Sequence, residues 1–261
     1  MRSRTCRGVA VLAAASVLFA ASAAKALDAF EIQVYDGSAN APGAPGIELH
    51  VNTVVSGLRQ AVPPEVPPDH QTHLTAEPSL GITSWWELGA YVQTTVQPSG
   101  DFDYSGVKLR SKFVRPGGES DRFRWGLNLE VSDLPPSAER DRWGAEVRPI
   151  VAYGTRGGPF VCAFNPILDF ALSGPGAAAT PSFEPAVTAL FVVEGLLSAG
   201  VEYYGDVGQL GHFLPLREQQ HTVFEVINVL RWKRIEINAG VGEGLTASSN
   251  GFVTKLILGF Q

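Results

Sequence analysis

Apolar and polar residues alternate with a period of two over the last forty residues of the chain, 221–261. Such alternation predicts β-strands with one apolar and one polar face. The final run places on one face Phe252, Thr254, Leu256, Leu258 and Phe260. The same pattern recurs from residue 47 onward, and it predicts twelve strands of about ten residues, the length that a tilted strand needs to cross a membrane.

Connections between the predicted strands alternate in length. Counting back from the C-terminus, 246–251 is a loop, 233–234 a tight turn, 208–220 a long loop and 194–196 a tight turn, and the longest connection is 57–72. Outer-membrane barrels have long external loops, short periplasmic turns and usually an even strand number. Residues 46–261 are therefore predicted to form the barrel, and residues 27–45 a leader that lies in the periplasm or is tucked inward.

The first 26 residues have the features of a secretory signal peptide. Basic residues precede an apolar run at 9–21, and Ala24-Lys25-Ala26 fits the small-x-small cleavage pattern. Removing this segment leaves 16 basic and 26 acidic residues, a formal net charge of −10, which argues against a nucleic-acid partner. Cys162 is the one cysteine after residue 26, so no intramolecular disulfide is expected.

No later apolar run is long enough for a membrane helix, so a membrane-spanning chain must close into a barrel, because hydrocarbon offers no partner for unpaired backbone groups. The fold class predicted is all-β: a transmembrane, antiparallel, up-and-down barrel, with outer-membrane lipids as its surroundings. Aromatic residues near the predicted strand ends suit interfacial girdles: Trp85, Trp86, Trp143, Tyr153 and Trp232.

Two segments carry a family resemblance. Glu31-Ile32-Gln33-Val34-Tyr35-Asp36, followed by Gly46-Ile47-Glu48-Leu49-His50-Val51-Asn52, resembles the start of a group of proteobacterial outer-membrane β-barrels often labelled transporters. The resemblance covers the chain after the signal peptide. It implies a barrel in the outer membrane of a Gram-negative bacterium and carries over no catalytic residues. The chain departs from the pattern at its end, where Gln261 follows the aromatic Phe260.

The polar strand faces are expected to line the lumen. Early strands contribute the bases Lys108, Arg110, Lys112, Arg124 and Arg148, and later strands the acids Asp169, Glu184, Glu202, Asp206, Glu225 and Glu236. Two interpretations remain open at this stage. Signs segregated around an open wall would create a transverse field that orients charged solutes. Charges that meet across a narrow lumen would instead pair and seal it.

Four inward polar residues are each followed by proline, in Glu77-Pro78, Arg148-Pro149, Asn165-Pro166 and Glu184-Pro185. Proline cannot donate to a strand ladder, so bulges are predicted at these points. The functional hypothesis is that the four polar residues line a constriction. The alternative is that the prolines only curve the wall.

Passive passage of a small solute through a charged lumen is the function predicted. A plugged barrel with a structural or interaction role is the first alternative. A lipid-modifying enzyme is the second, for which a contact between a serine and His221 on the outer wall would argue, with Ser248 and Ser249 as candidates. Asp69, His70 and His73 could touch a metal from the longest loop, but no cofactor, metal or catalytic residue is predicted.

Overall fold

The chain forms a β-barrel in a computed structural model that describes residues 28–117, 121–154, 158–174, 176–177, 180–194, 197–232 and 235–260. The predicted signal peptide, residues 1–26, and Gln261 lie outside these ranges. No described residue lies in a helix long and apolar enough to cross a membrane.

Fourteen strands make up the described structure. Twelve are long: β1 Pro45–Ser56, β2 Thr72–Gly81, β3 Trp86–Val96, β4 Phe102–Val114, β5 Phe123–Asp133, β6 Trp143–Tyr153, β7 Phe160–Ala171, β8 Ser182–Glu194, β9 Leu197–Asp206, β12 Gln220–Trp232, β13 Ile235–Gly244 and β14 Phe252–Phe260. Two are short, β10 Gly208–Gln209 and β11 His212–Phe213, and form a small hairpin in the loop after β9.

The sheet closes on itself through antiparallel pairing of β1 with β14. Every other long strand pairs with its neighbours in chain order, and β8 pairs with β9. The all-β, twelve-stranded antiparallel barrel predicted from the alternation is therefore confirmed. Its connections are short at one end, such as the four residues between β2 and β3, and long at the other, such as the fifteen between β1 and β2. We refer to these as the short-turn end and the long-loop end.

Large apolar side chains face outward and polar ones face inward. On β1, Ile47 and Leu49 are 39% and 36% exposed, whereas His50 and Asn52, on the other face, are 1% exposed. Trp85, Trp143 and Tyr153 are exposed near strand ends, as the girdle interpretation requires. Trp86 is half-buried against Phe113, and the side chain of Trp232 lies outside the described part. A soluble barrel would bury its apolar face, so this arrangement is the one that a lipid environment requires.

The prolines do not produce the predicted bulges. Pro78 pairs in register with Ile47, Pro149 with Leu127, and Pro166 with Pro185. Register shifts occur elsewhere, for example between Gln93 and Thr94 on β3. The ladder between β6 and β7 skips residues 148–150 and then resumes in unchanged register. A missing donor therefore interrupts hydrogen bonding towards one neighbour without adding a residue to the strand.

Strand β12 is turned the opposite way from the prediction. Phe224 and Val226 are buried in the interior, and Glu225 is exposed on the outer wall, so its assignment to the lumen was wrong. Both faces of this strand are apolar near its middle, and alternation therefore could not fix which side faced inward. The interior has room for Phe224 because its partner on the neighbouring strand β13 is a glycine. A Cβ at Gly242 would lie 2.6 Å from the Phe224 ring.

Substitution of Gly242 by alanine is expected to destabilise the barrel by about 1–3 kcal/mol, the usual cost of overpacking. Urea unfolding of the refolded protein, followed by the heat-dependent gel shift of folded barrels, measures the loss. Gly259→Ala is the matched control, since a Cβ there would meet its nearest atom, Glu236 Cβ, at an ordinary 3.6 Å. Equal losses in both variants would contradict the placement of Phe224.

Candidate functional site

Of the predicted leader, residues 28–44 are described and precede β1; they run through the interior of the barrel, and from here on the leader means these residues. The leader meets the wall at the short-turn end, where the Gly43 N–H donates to the Gly81 carbonyl at 2.7 Å and the Gly81 N–H donates to the Ala44 carbonyl at 3.1 Å. From there it passes towards the long-loop end, where Phe30 packs edge-on against His73 at a centroid distance of 4.6 Å. The leader therefore spans most of the lumen.

Acidic leader residues pair with the bases of the wall. Glu31 is 3% exposed, and its carboxylate accepts from Arg148 at 3.0 Å. Asp28 lies 2.5 Å from the Lys108 ammonium, and Asp36 lies 3.4 Å from the Arg124 guanidinium. Buried charges are costly unless they are paired, so the leader carboxylates compensate bases that the wall alone leaves only partly paired.

Tyr35 is held at the centre of the leader. Asn165 clamps its backbone: the Tyr35 N–H donates to Asn165 Oδ1 at 2.7 Å, and Asn165 Nδ2 donates to the Tyr35 carbonyl at 3.0 Å. The phenol lies 2.7 Å from the Tyr91 hydroxyl, and the Arg148 guanidinium stacks 4.7 Å from the ring centroid. These contacts tie the leader to strands β3, β6 and β7 at once.

The opposite side of the lumen carries an apolar cluster. Ile32 is fully buried in a cluster with Val54, Ile167, Ala186, Tyr204, Phe224, Val226 and Val253, and Val34 packs against it. Ile32 and Val34 thus face the apolar cluster, whereas Glu31 and Tyr35 between and beside them face the charged wall. Lys255, on β14, bridges the two regions: its ammonium donates to the Ile32 carbonyl at 3.0 Å and pairs with Glu202. Over residues 31–35 the leader is an extended segment whose alternation matches the two sides of the wall, and Asp28 and Asp36 on either side of it also pair with basic wall residues.

All five predicted bases are buried and inward-facing, namely Lys108, Arg110, Lys112, Arg124 and Arg148. Carboxylates lie among them, which contradicts the segregation of signs expected from the sequence. Arg110 is 2.8 Å from Glu77, Lys112 is 2.8 Å from Glu87, and Arg148 is 2.7 Å from Glu146. Glu130 lies 3.8 Å from the Lys108 ammonium. This half of the lumen is a mixed ionic network.

The predicted acids of the later strands have separate environments. Glu202 and Asp206 are buried, and Asp169 and Glu184 are half-buried on the inward side of β7 and β8. Glu236 shares the inward side of β13 with Asn238 but is exposed at the short-turn end. Of the four residues proposed for a constriction, Arg148 and Asn165 both contact the leader. That these four define a constriction remains a prediction.

The sequence prediction missed the leader carboxylates as lumen residues. The sequence does show strand-like alternation over residues 28–36. Because this segment was not counted as a membrane-spanning strand, no contacts with the barrel wall were predicted for it. Glu130, Glu146 and Lys255 were missed because the prediction treated the early strands as carrying only basic lumen residues and the later strands as carrying only acidic ones.

The serine–histidine contact that would favour an enzyme is not formed by the imidazole of His221. Ser249 Oγ reaches the backbone of His221 and not its ring: it accepts from the His221 N–H at 2.9 Å and donates to the His221 carbonyl at 3.0 Å. The ring nitrogens are engaged by the Tyr203 hydroxyl at 2.7 Å and Gln219 Oε1 at 2.9 Å. This histidine has the contacts of a structural residue on the outer wall.

The loop histidines are separated as well. Asp69 accepts from the Gly57 N–H at 2.8 Å, which lowers the pKa of its carboxyl, and it lies 3.7 Å from His70 Nε2. His73 is not a loop residue: it sits on β2, buried against Phe30. Among the described residues, a cluster with metal-ligand spacing occurs elsewhere, at Glu48, His50 and Glu77.

Removing the Asn165 clamp is expected to loosen the leader by about 1–3 kcal/mol, the cost of leaving buried polar groups unpaired. Hydrogen exchange of residues 30–38 in Asn165→Ala measures this loosening. Asn228→Ala is the control, because Asn228 bonds only to wall residues in the described structure, Ser198 and Asn238. Leader exchange that is unchanged in Asn165→Ala would contradict the clamp.

Solved structures with a similar fold include outer-membrane channels. An outer-membrane channel from Pseudomonas putida F1 superposes with a TM-score of 0.60 at 11% identity, covering 88% of this chain and 99% of that one. The KdgM porin gives 0.54 at 9% identity, with 83% and 98% covered. No family model and no curated protein matches the sequence. This chain is similar in fold to outer-membrane β-barrel channels.

Proposed function

We propose that this protein is a channel of the Gram-negative outer membrane that passes small anionic solutes, and that its leader occupies the lumen in the closed state. The observation that supports this is the leader itself: an extended segment with three carboxylates seated against the bases of the wall. The channel fold of the similar structures supports a transport role. The short-turn end would face the periplasm, since that is where outer-membrane barrels have short connections.

We propose anionic solutes because the carboxylates of the leader already occupy positions beside the basic residues of the wall. If the leader left, Arg148 would lose Glu31, Lys108 would lose Asp28, and Arg124 would lose Asp36. Without the leader, Arg148 and Lys108 would keep, among the described residues, only Glu146 and Glu130 of the wall, and the field of these bases between low-dielectric walls would attract anions. A solute carrying carboxylates would therefore compete with the leader for the same cationic groups and offset the cost of displacing it.

A permanently sealed barrel with a structural or interaction role is the second candidate. The amount of leader contact favours it: the clamp on Tyr35, the buried apolar side chain of Ile32 and the Gly43–Gly81 ladder bonds each oppose release. The two candidates differ in one property. A channel opens on a measurable timescale, whereas a sealed barrel does not.

Deleting the leader is expected to produce a conducting pore. In planar bilayers, refolded 45–261 should show discrete, ohmic openings with anion preference, whereas refolded 27–261 should be closed for most of the time, with rarer openings. The heat-dependent gel shift verifies that both chains fold. If 45–261 does not fold, the double variant D28N/E31Q replaces it, since it weakens the leader's ionic contacts without shortening the chain. Equal conductance with and without these changes would contradict the proposal.

Arg148→Ala, made in the leader-free chain, is expected to reduce anion preference, because Arg148 is the base most deeply shared between the leader and the wall. Reversal potentials in a salt gradient measure the preference. Arg142→Ala is the control: it removes the same charge from an exposed loop position outside the lumen. A selectivity that is unchanged in Arg148→Ala would rule out Arg148 as a selector.

A further inference from the structure

Two carboxylates and one imidazole converge inside the barrel near the short-turn end, as the strand register requires. Glu48 on β1 is directly opposite Glu77 on β2, and His50 is the next inward residue along β1. Like charges that are directly opposite destabilise a sheet unless a cation lies between them. The register therefore creates a place for positive charge.

Distances within this cluster suit coordination of one ion. His50 Nε2 lies 3.3 Å from Glu77 Oε2 and 3.6 Å from Glu48 Oε2. Ligands about 2.0–2.1 Å from a tetrahedral Zn²⁺ are separated from one another by roughly 3.3–3.4 Å. The ligand atoms of all three residues lie within 4.8 Å of one another. The cluster thus has the spacing of a metal site before any ion is placed in it.

Polar atoms in the cluster lack hydrogen-bond partners among the described residues. His50 is 1% exposed, and neither of its ring nitrogens makes a hydrogen bond; Glu77 is 3% exposed, and its Oε2 makes none either, although it lies within ion-pair distance of His50 Nε2. Buried polar groups are rarely left so, because each costs free energy. An ion bound by His50 Nε2 and Glu77 Oε2 would satisfy two of these atoms.

Neighbouring side chains orient the two carboxylates. Arg110 forms an ion pair with the other oxygen of Glu77 at 2.8 Å, and Gln33 of the leader donates to Glu48 Oε2 at 3.0 Å. Outer partners of this kind fix ligand geometry in metal sites. Glu48 is the exposed member, with 37% of its side chain accessible, and it gives an ion a path from the short-turn end.

We propose that Glu48, His50 and Glu77 bind one divalent first-row transition-metal ion, with water completing its coordination. Imidazole with carboxylates suits Zn²⁺ and its neighbours better than Ca²⁺ or Mg²⁺, which prefer oxygen ligands alone. The ion joins β1 to β2 and, through Gln33, stabilises the closed position of the leader. The site itself does not depend on whether the barrel conducts.

Zinc titration of the refolded chain 27–261 in detergent tests the proposal, with His70→Ala in every variant to remove the loop histidine beside Asp69. We expect one Zn²⁺ per chain, and affinity lowered by roughly tenfold or more in His50→Gln. His73→Gln is the matched control, a buried interior histidine outside the cluster, and should bind as the parent does. If His50→Gln does not fold, Glu48→Gln replaces it, because Glu48 is the least buried ligand.

X-ray absorption at the zinc edge provides a readout that needs no variant. The site predicts one nitrogen ligand and a remaining shell of oxygen, at about 2.0–2.2 Å.

A folded parent that retains no Zn²⁺, or binding that persists equally in His50→Gln and Glu48→Gln, would overturn the proposal. The first result would assign the cluster to an imidazolium paired with two carboxylates.

Discussion

Closure of the sheet by β1 and β14 is the constraint on which the rest of the structure depends. Hydrocarbon offers backbone groups no partner, so a spanning sheet must have no edge. Closure then divides every strand into an apolar face towards lipid and a second face towards a confined interior. The charged residues of β4, β5 and β6 have nowhere else to go. Inside, the cost of burying them is offset only by partners of opposite sign.

The leader supplies part of that compensation. Its acidic residues meet Lys108, Arg124 and Arg148, while Ile32 joins the apolar cluster on the other side. An extended segment with apolar side chains at its middle and carboxylates around them fits a lumen that has a charged wall on one side and an apolar cluster on the other. Under the proposed function, the leader's carboxylates occupy the positions that an anionic solute would take, so the closed lumen and the proposed preference for anions have the same physical cause.

The sequence predicts the architecture well because membrane strands must alternate and connections must alternate in length. It predicts less about the interior. The phase of β12 was wrong since Val223 and Ile227 are as apolar as Phe224 and Val226. The bulges at proline were wrong because losing one donor does not shift register. The pairing of Arg110 with Glu77, or of Glu31 with Arg148, depends on side chains from distant strands meeting in the lumen, and local periodicity has no information on such meetings.

The most direct test of the account is to lock the leader in place reversibly and record conductance. Phe30 and His73 are in contact, so Phe30→Cys with His73→Cys, in a Cys162→Ser background, places two thiols where the leader touches β2. The account predicts that the oxidised protein is silent in a planar bilayer and that adding reductant to the same bilayer restores openings. Identical conductance before and after reduction, with the cross-link verified by mass spectrometry, would contradict a leader that closes the lumen.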